Sequence, residues 1–157
     1  MSALDSLYQQ IILEQAKART GADLPNNQLA GDHLPAGTGQ CHQLNPVCGD
    51  EITLRVETEG SGDHRTVSGI HWAGDGCSIS MASASILSEL VVGLGAGEVQ
   101  ELIGNFREVM RSRGKLTADE EVLGDAAALS GVSKFPARVK CAMLAWVAAE
   151  DALKQTV

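Results

Sequence analysis

At Cys77 the hydrophobic period of this chain changes, and that change constrains the fold more than any other feature of the sequence. Upstream, Ile52, Leu54 and Val56 alternate with Thr53, Arg55 and Glu57, the period of two that puts successive side chains on opposite faces of a half-buried strand. The turn Gly60-Ser61-Gly62-Asp63 leads into a second strand around Arg65 to Trp72, so this stretch predicts a hairpin. Gly39 to Val47 is a candidate third strand, confined to an edge or a strand end by Pro46, which has no N–H for a central ladder. Downstream of Cys77 the spacing is helical: Ile79, Ala82, Ile86 and Leu90, then Val99, Leu102, Ile103, Phe106 and Met110, and finally Val139, Met143, Trp146, Ala149 and Leu153. Strands followed by helices predict an α+β domain, with a small three-stranded antiparallel sheet and helices packed on one face.

Leu4, Leu7, Tyr8, Ile11 and Ile12 add an amphipathic helix before the sheet, running to about Arg19. Residues 20–40 break all periodicity with Gly, Pro, Asn and Asp and predict a long surface loop. Gly93-Leu94-Gly95-Ala96-Gly97 is glycine-rich like a phosphate-binding loop. It follows a helix rather than a strand, however, and lacks the Lys-Ser/Thr of a P-loop, so it reads as a helix terminator and linker. Thr117 and Glu120 have capping-box spacing and predict a short helix beginning there, with Asp119-Glu120-Glu121 as its solvated start. Pro136 suits the first residue of the last helix, and Trp72 and Trp146 fall in apolar patterns that assign them to the core. A chain of 157 residues is the size of one domain and buries roughly two thirds of its unfolded surface, so residues 1–157 read as a single domain that needs no disulfides.

Twenty acidic against twelve basic residues give a formal charge of -8, which repels a phosphate backbone and an anionic leaflet alike. Neither nucleic acid nor a membrane is an expected partner. The first fifteen residues lack the basic and apolar regions of a signal peptide, and no apolar run approaches the roughly 18 residues of a membrane span. The expected location is the cytoplasm, where thiols stay reduced, so the four cysteines point to metal binding or catalysis before disulfides.

Three of those cysteines stand at structural transitions: Cys48 before a strand, Cys77 at a helix start and Cys141 in the last helix. Gly49 and Gly76 permit tight turns beside two of them, and Asp50 adds an oxygen two residues from Cys48. Together Cys48, Asp50, Cys77 and Cys141 would make a tetrahedral site of three thiolates and a carboxylate, a donor set that zinc accepts. Spacing alone leaves buried, inert cysteines as an equal alternative, because no C-x-x-C pair is present. The Asn-Pro and Gly-Asp turns around them belong instead to surface loops, where functional residues gather.

The runs NPVCGD (residues 45–50), GDGCSISMASAS (74–85) and GVSKFPARVKCA (131–142) resemble the three signature segments of the U-type iron–sulfur cluster assembly proteins. The likeness runs from Leu4-x-x-Leu7-Tyr8 to about Trp146. Extra sequence at about 114–134 resembles the insertion of the SufU branch, as does Lys140 in place of the histidine that precedes the third cysteine in the IscU scaffolds. The Asp-His-Tyr stretch that many of these proteins carry at the end of the first helix is replaced here by residues 13–19.

The resemblance implies zinc held by Cys48, Asp50, Cys77 and Cys141, and Cys48 as acceptor of persulfide sulfur from a SufS-type, pyridoxal-phosphate cysteine desulfurase. It implies further that the desulfurase supplies a histidine to the zinc and frees Cys48, a thiolate kept deprotonated but restrained while coordinated. The product would pass to downstream iron–sulfur assembly proteins or to a reductant, making the chain a zinc-dependent sulfurtransferase. Two alternatives stand beside this: a scaffold on which the same cysteines assemble a transient iron–sulfur cluster, and a structural zinc domain without sulfur chemistry. Arg138, one turn before Cys141, either stabilises the thiolate cluster or a transferred sulfur anion, or is a solvated surface arginine. Cys41 and His42 match no ligand of the family; an auxiliary or resolving role competes there with that of ordinary strand residues.

Overall fold

The computed structural model describes residues 2–157. Helix α1 spans Ala3–Ala18 and is followed by strands β1 (Thr38–Leu44), β2 (Glu51–Glu59) and β3 (Thr66–Asp75). Helices α2 (Ser78–Val91), α3 (Ala96–Arg111), α4 (Glu120–Leu123) and α5 (Pro136–Lys154) complete the chain. The three strands form one antiparallel sheet in sequence order, and the alternation read from Ile52, Leu54 and Val56 is the face they bury. Cys41 lies opposite Leu54, and Leu54 opposite Trp72, so these residues share that face and pack under the helices. β1 is the edge strand that Pro46 demanded, ending two residues before it.

The closest approach between layers is at Gly39, where an added Cβ would overlap the Ala152 carbonyl oxygen. Backbone of β1 therefore rests directly on the last turns of α5. Trp146 is fully buried and stacks on Phe106 with centroids 4.0 Å apart, joining α5 to α3. Its Nε1–H donates to Ser83 Oγ at 2.8 Å, which joins α5 to α2.

Helix α1 starts at a capping box, where Ser2 Oγ accepts from Asp5 N–H and Asp5 accepts from Ser2 N–H. Its end is held by Arg19, whose guanidinium donates to Gly74 O at 3.2 Å and to Met81 Sδ at 3.0 Å while lying 4.9 Å from the Trp72 ring. The long loop then covers the free edge of β3: Trp72 N–H donates to Gly21 O at 2.7 Å, and Leu24 N–H donates to Trp72 O at 3.1 Å. Residues 92–95 link α2 to α3 and serve the other end of that edge, since Gly93 N–H donates to Val67 O and Val67 N–H to Leu94 O, each at 2.8 Å, while Ala96 and Gly97 already open α3. The short helix begins later than Thr117 suggested, with Asp119 as N-cap, because its carboxylate accepts from Glu121 N–H at 2.9 Å. From Gly124 to Lys134 the chain winds as a 3-10 segment, with Ala126, Ala127, Ala128 and Leu129 buried.

On the outer sheet face His71 lies between two carboxylates, Nδ1 2.7 Å from Asp23 and Nε2 2.7 Å from Glu57. Burial disfavours its charged form, but the two carboxylates outweigh burial and raise its pKa. A raised folded-state value means that the imidazolium stabilises the native state fully below the unfolded value of about 6.5, and that this contribution is lost as pH rises through the folded value. Hydrogen exchange at Leu24 is expected to quicken over that interval in the native protein and to become pH-independent, after correction for the intrinsic rate, in His71→Gln. An identical profile in both proteins would count against the clasp.

Candidate metal centre

The six residues 45–50 close the β1–β2 hairpin, with Asn45 N–H donating to Asp50 O and Gly49 N–H to Asn45 O, both at 2.8 Å. Asn45 Oδ1 accepts from Val47 N–H at 3.2 Å, an Asx turn, and Gly49 takes the left-handed region at φ 78°. This local chemistry leaves Cys48 exposed at the tip and returns the chain at Asp50, which is only 3% exposed.

Helix α2 meets that carboxylate with its first turn. Cys77 is the N-cap residue, and its N–H donates to Asp50 Oδ1 at 3.1 Å while its Sγ lies 3.6 Å from Asp50 Oδ2. Ser80, 3% exposed, donates its hydroxyl to Asp50 Oδ2 and stands 3.4 Å from Cys77 Sγ. At Gly76 an added Cβ would lie 2.7 Å from Asp50 Oδ1, so only glycine lets the carboxylate sit there. From the opposite side α5 brings Cys141, buried, with its Sγ 3.9 Å from Cys48 Sγ. Ligand atoms of Cys48, Asp50 and Cys141 all lie within 4.8 Å of one another.

Burial opposes the ionisation of Asp50, but hydrogen bonds from Ser80, Cys141, Cys48 and the Cys77 N–H win and hold its carboxyl below the ordinary carboxylate range. Cys141 moves the other way: burial, then the Asp50 carboxylate and the neighbouring Cys77 and Cys48, push its thiol far up. A bound cation would offset the cost of ionising Cys141, because a metal ion favours the deprotonated form of a coordinating thiol. The two sulfurs and one carboxylate of the Cys48, Asp50 and Cys141 group could hold a metal ion, and such donors suit zinc.

The structure thus brings Cys48, Asp50 and Cys141 into one group, with Cys77 beside Asp50 but outside that mutual 4.8 Å spacing. Arg138 is exposed and lines a neighbouring groove of about 700 Å³ with Leu4, Tyr8, Ile79 and Phe135; among the described residues its side chain has no hydrogen bond or ion pair. Cys41 lies under α5 in the core, where burial chiefly pushes its thiol up to about 11. His42 pairs with Glu51 at 3.0 Å on the outer sheet face. Ser80 is the site residue that the sequence reading missed. Its signal was the i, i+3 spacing from Cys77, which stacks both side chains on one helix face.

Fold and site together define a class: a small sheet-and-helix domain whose cysteines, drawn from three distant segments, converge on one carboxylate. The family model described as "NifU-like N terminal domain" matches residues 10–155, and the chain belongs to that family. It is 37% identical over 147 residues to the zinc-dependent sulfurtransferase SufU of Bacillus subtilis, covering 94% of this chain and 89% of that protein. It is 33% identical over 156 residues to the iron–sulfur cluster assembly scaffold protein IscU of Streptococcus pyogenes, covering 99% and 88% of the two chains. Among solved structures, the putative scaffold protein for the SUF system from Fervidobacterium islandicum superposes with a TM-score of 0.71 at 30% identity, over 94% of this chain and 97% of that one.

Proposed function

We propose that this protein is a zinc-dependent sulfur acceptor of iron–sulfur cluster assembly, taking persulfide sulfur on Cys48 from a SufS-type cysteine desulfurase. The observation that carries this reading is the asymmetry of the cluster: Cys48 is exposed on a glycine-bearing turn while Cys141 and Asp50 are buried behind it. The ligand on the solvent-facing side is the one able to leave and react. Zinc held by Cys48, Asp50, Cys77 and Cys141 would supply the positive charge that keeps the thiols deprotonated near neutral pH. The Cys48 thiolate attacks the outer sulfur of the donor's persulfide. The donor's S–S bond breaks, its cysteine leaves as a thiolate, and Cys48 becomes the persulfide, with no net change in oxidation level.

Arg138, with its guanidinium uncommitted among the described residues, is the cation available to the sulfur anion as it arrives or leaves. Such chemistry belongs in a reducing cytoplasm, and no helix among the described residues is long and apolar enough to cross a membrane. The scaffold reading is favoured by the likeness to the Streptococcus pyogenes protein and uses the same four side chains.

Metal analysis and turnover separate the two. Plasma mass spectrometry is expected to find about one zinc per colourless chain, since the donor set closes on one ion. Chelation is expected to lower Tm without unfolding the domain: structural zinc contributes on the order of 10 kcal/mol in small fingers, which have almost no core, whereas here the sheet and helices hold one. Zinc-loaded protein should stimulate alanine production by the desulfurase, and metal-stripped protein should not. Stoichiometric iron with a visible charge-transfer band, in protein made without added iron, would favour the scaffold.

A further inference from the structure

A serine in a helix ordinarily satisfies its hydroxyl on its own backbone, as Ser88 does by donating to Ala84 O at 2.8 Å. Ser80 does not. It is as deeply buried as Asp50, and its hydroxyl crosses to the Asp50 carboxylate, thirty residues away in sequence. The other oxygen of that carboxylate takes the Cys77 N–H, so the start of α2 holds both oxygens, with Cys77 Sγ also 3.6 Å from the one that Ser80 holds. Gly76 closes the remaining side. A carboxylate gripped at both oxygens cannot turn about its terminal torsion.

We propose that Ser80 is a positioning residue that holds Asp50 as a one-oxygen ligand and thereby selects a four-coordinate, thiolate-rich metal site. This rests on the reading of the cluster as a metal centre. A carboxylate free to rotate can chelate through both oxygens, the mode that suits higher-coordinate, oxygen-seeking ions. Restraint by Ser80 would remove that option and leave one oxygen to join the neighbouring sulfurs, a donor set that would suit zinc. The serine touches Asp50 and Cys77 and acts through them.

The test is a double-mutant cycle on zinc affinity, measured by competition with a chromophoric chelator, together with the absorption spectrum of the cobalt(II)-loaded protein. Ser80→Ala is expected to weaken zinc binding by about 10- to 100-fold, the usual loss for an outer partner of a ligand. It should also dim the intense cobalt d–d bands of a tetrahedral site. Ser80→Thr keeps the hydroxyl and should recover most of both. In an Asp50→Ala background the same Ser80→Ala change should cost no more than about twofold, because the group it acts through is gone. Ser83→Ala, which removes a buried serine bonded to Ala142 O and Trp146 rather than to the cluster, should lower Tm and leave zinc affinity unchanged. Equal losses in both backgrounds, or tight wild-type binding with unaltered Ser80→Ala affinity, would overturn the role of Ser80. Wild-type protein that binds neither zinc nor cobalt would instead overturn the metal centre itself.

Discussion

Cys48→Ser is expected to abolish stimulation of the desulfurase, a loss of more than about 100-fold, while Cys41→Ser leaves it nearly intact. Serine is a far poorer nucleophile than a thiolate and cannot carry a persulfide. The two cysteines differ in everything that matters to transfer. Cys48 is exposed on the 45–50 turn with Cys141 Sγ 3.9 Å away. Cys41 is buried under α5, with its thiol pushed up to about 11, so that at neutral pH almost none of it is thiolate. Alanine production should be read alongside zinc content and intact mass, so that lost transfer is not confused with lost metal and the extra sulfur is seen on the chain. An inactive Cys41→Ser beside an active Cys48→Ser would sink the assignment of the acceptor.

The largest loss of stability should come from Trp146→Ala, at about 3–5 kcal/mol. Trp146 is fully buried, its ring stacks on Phe106 at an interplanar angle of 14°, and its Nε1–H donates to Ser83, which in turn donates to Ala142 O at 2.6 Å. Truncation opens a cavity at the junction of α2, α3 and α5 and leaves Ser83 short of a donor. For a chain of this size each kcal/mol corresponds to roughly 2–4 °C in Tm. Trp146→Phe keeps most of the stacking and loses the N–H, so it should cost the smaller share typical of one hydrogen bond, about 1 kcal/mol. Equal stability of Trp146→Ala and the native protein in urea would mean that the ring is not part of the core.

The hairpin and the long helices were legible because side-chain period alone determines which face each element buries, and Ile52, Leu54 and Val56 or Val99, Leu102 and Phe106 declare that period without help from the rest of the chain. The site was legible for a different reason: glycine and Asx-turn chemistry marks the places where backbone aims a side chain outward, and three cysteines fall there or at a helix. What could not be read was any contact made at long range. Ser80 looks like helix filler until Asp50 arrives from another segment. The pairing of Gly21 and Leu24 with Trp72 is made by backbone groups, which leave no trace in residue type. Asp119 displaced Thr117 as the cap because both are good caps and only the packing of Leu123 into the core chooses between them. The 3-10 winding of the alanine-bearing stretch Gly124–Lys134 likewise answers to tertiary packing rather than propensity, which favours an α-helix for alanine.

The seat of Gly39 on the Ala152 carbonyl makes α5 a ruler with its zero mark at the far end from the cysteines. Ala152 is eleven residues beyond Cys141, a rise of about 16 Å along the helix. With that end pressed on β1, Cys141 owes its direction to the count of residues between the two points. One residue inserted or removed there would turn Cys141 by about 100° and carry it away from Cys48. Length is therefore a constrained quantity in the last helix, so chains built on this plan should keep the interval from Cys141 to Ala152 fixed.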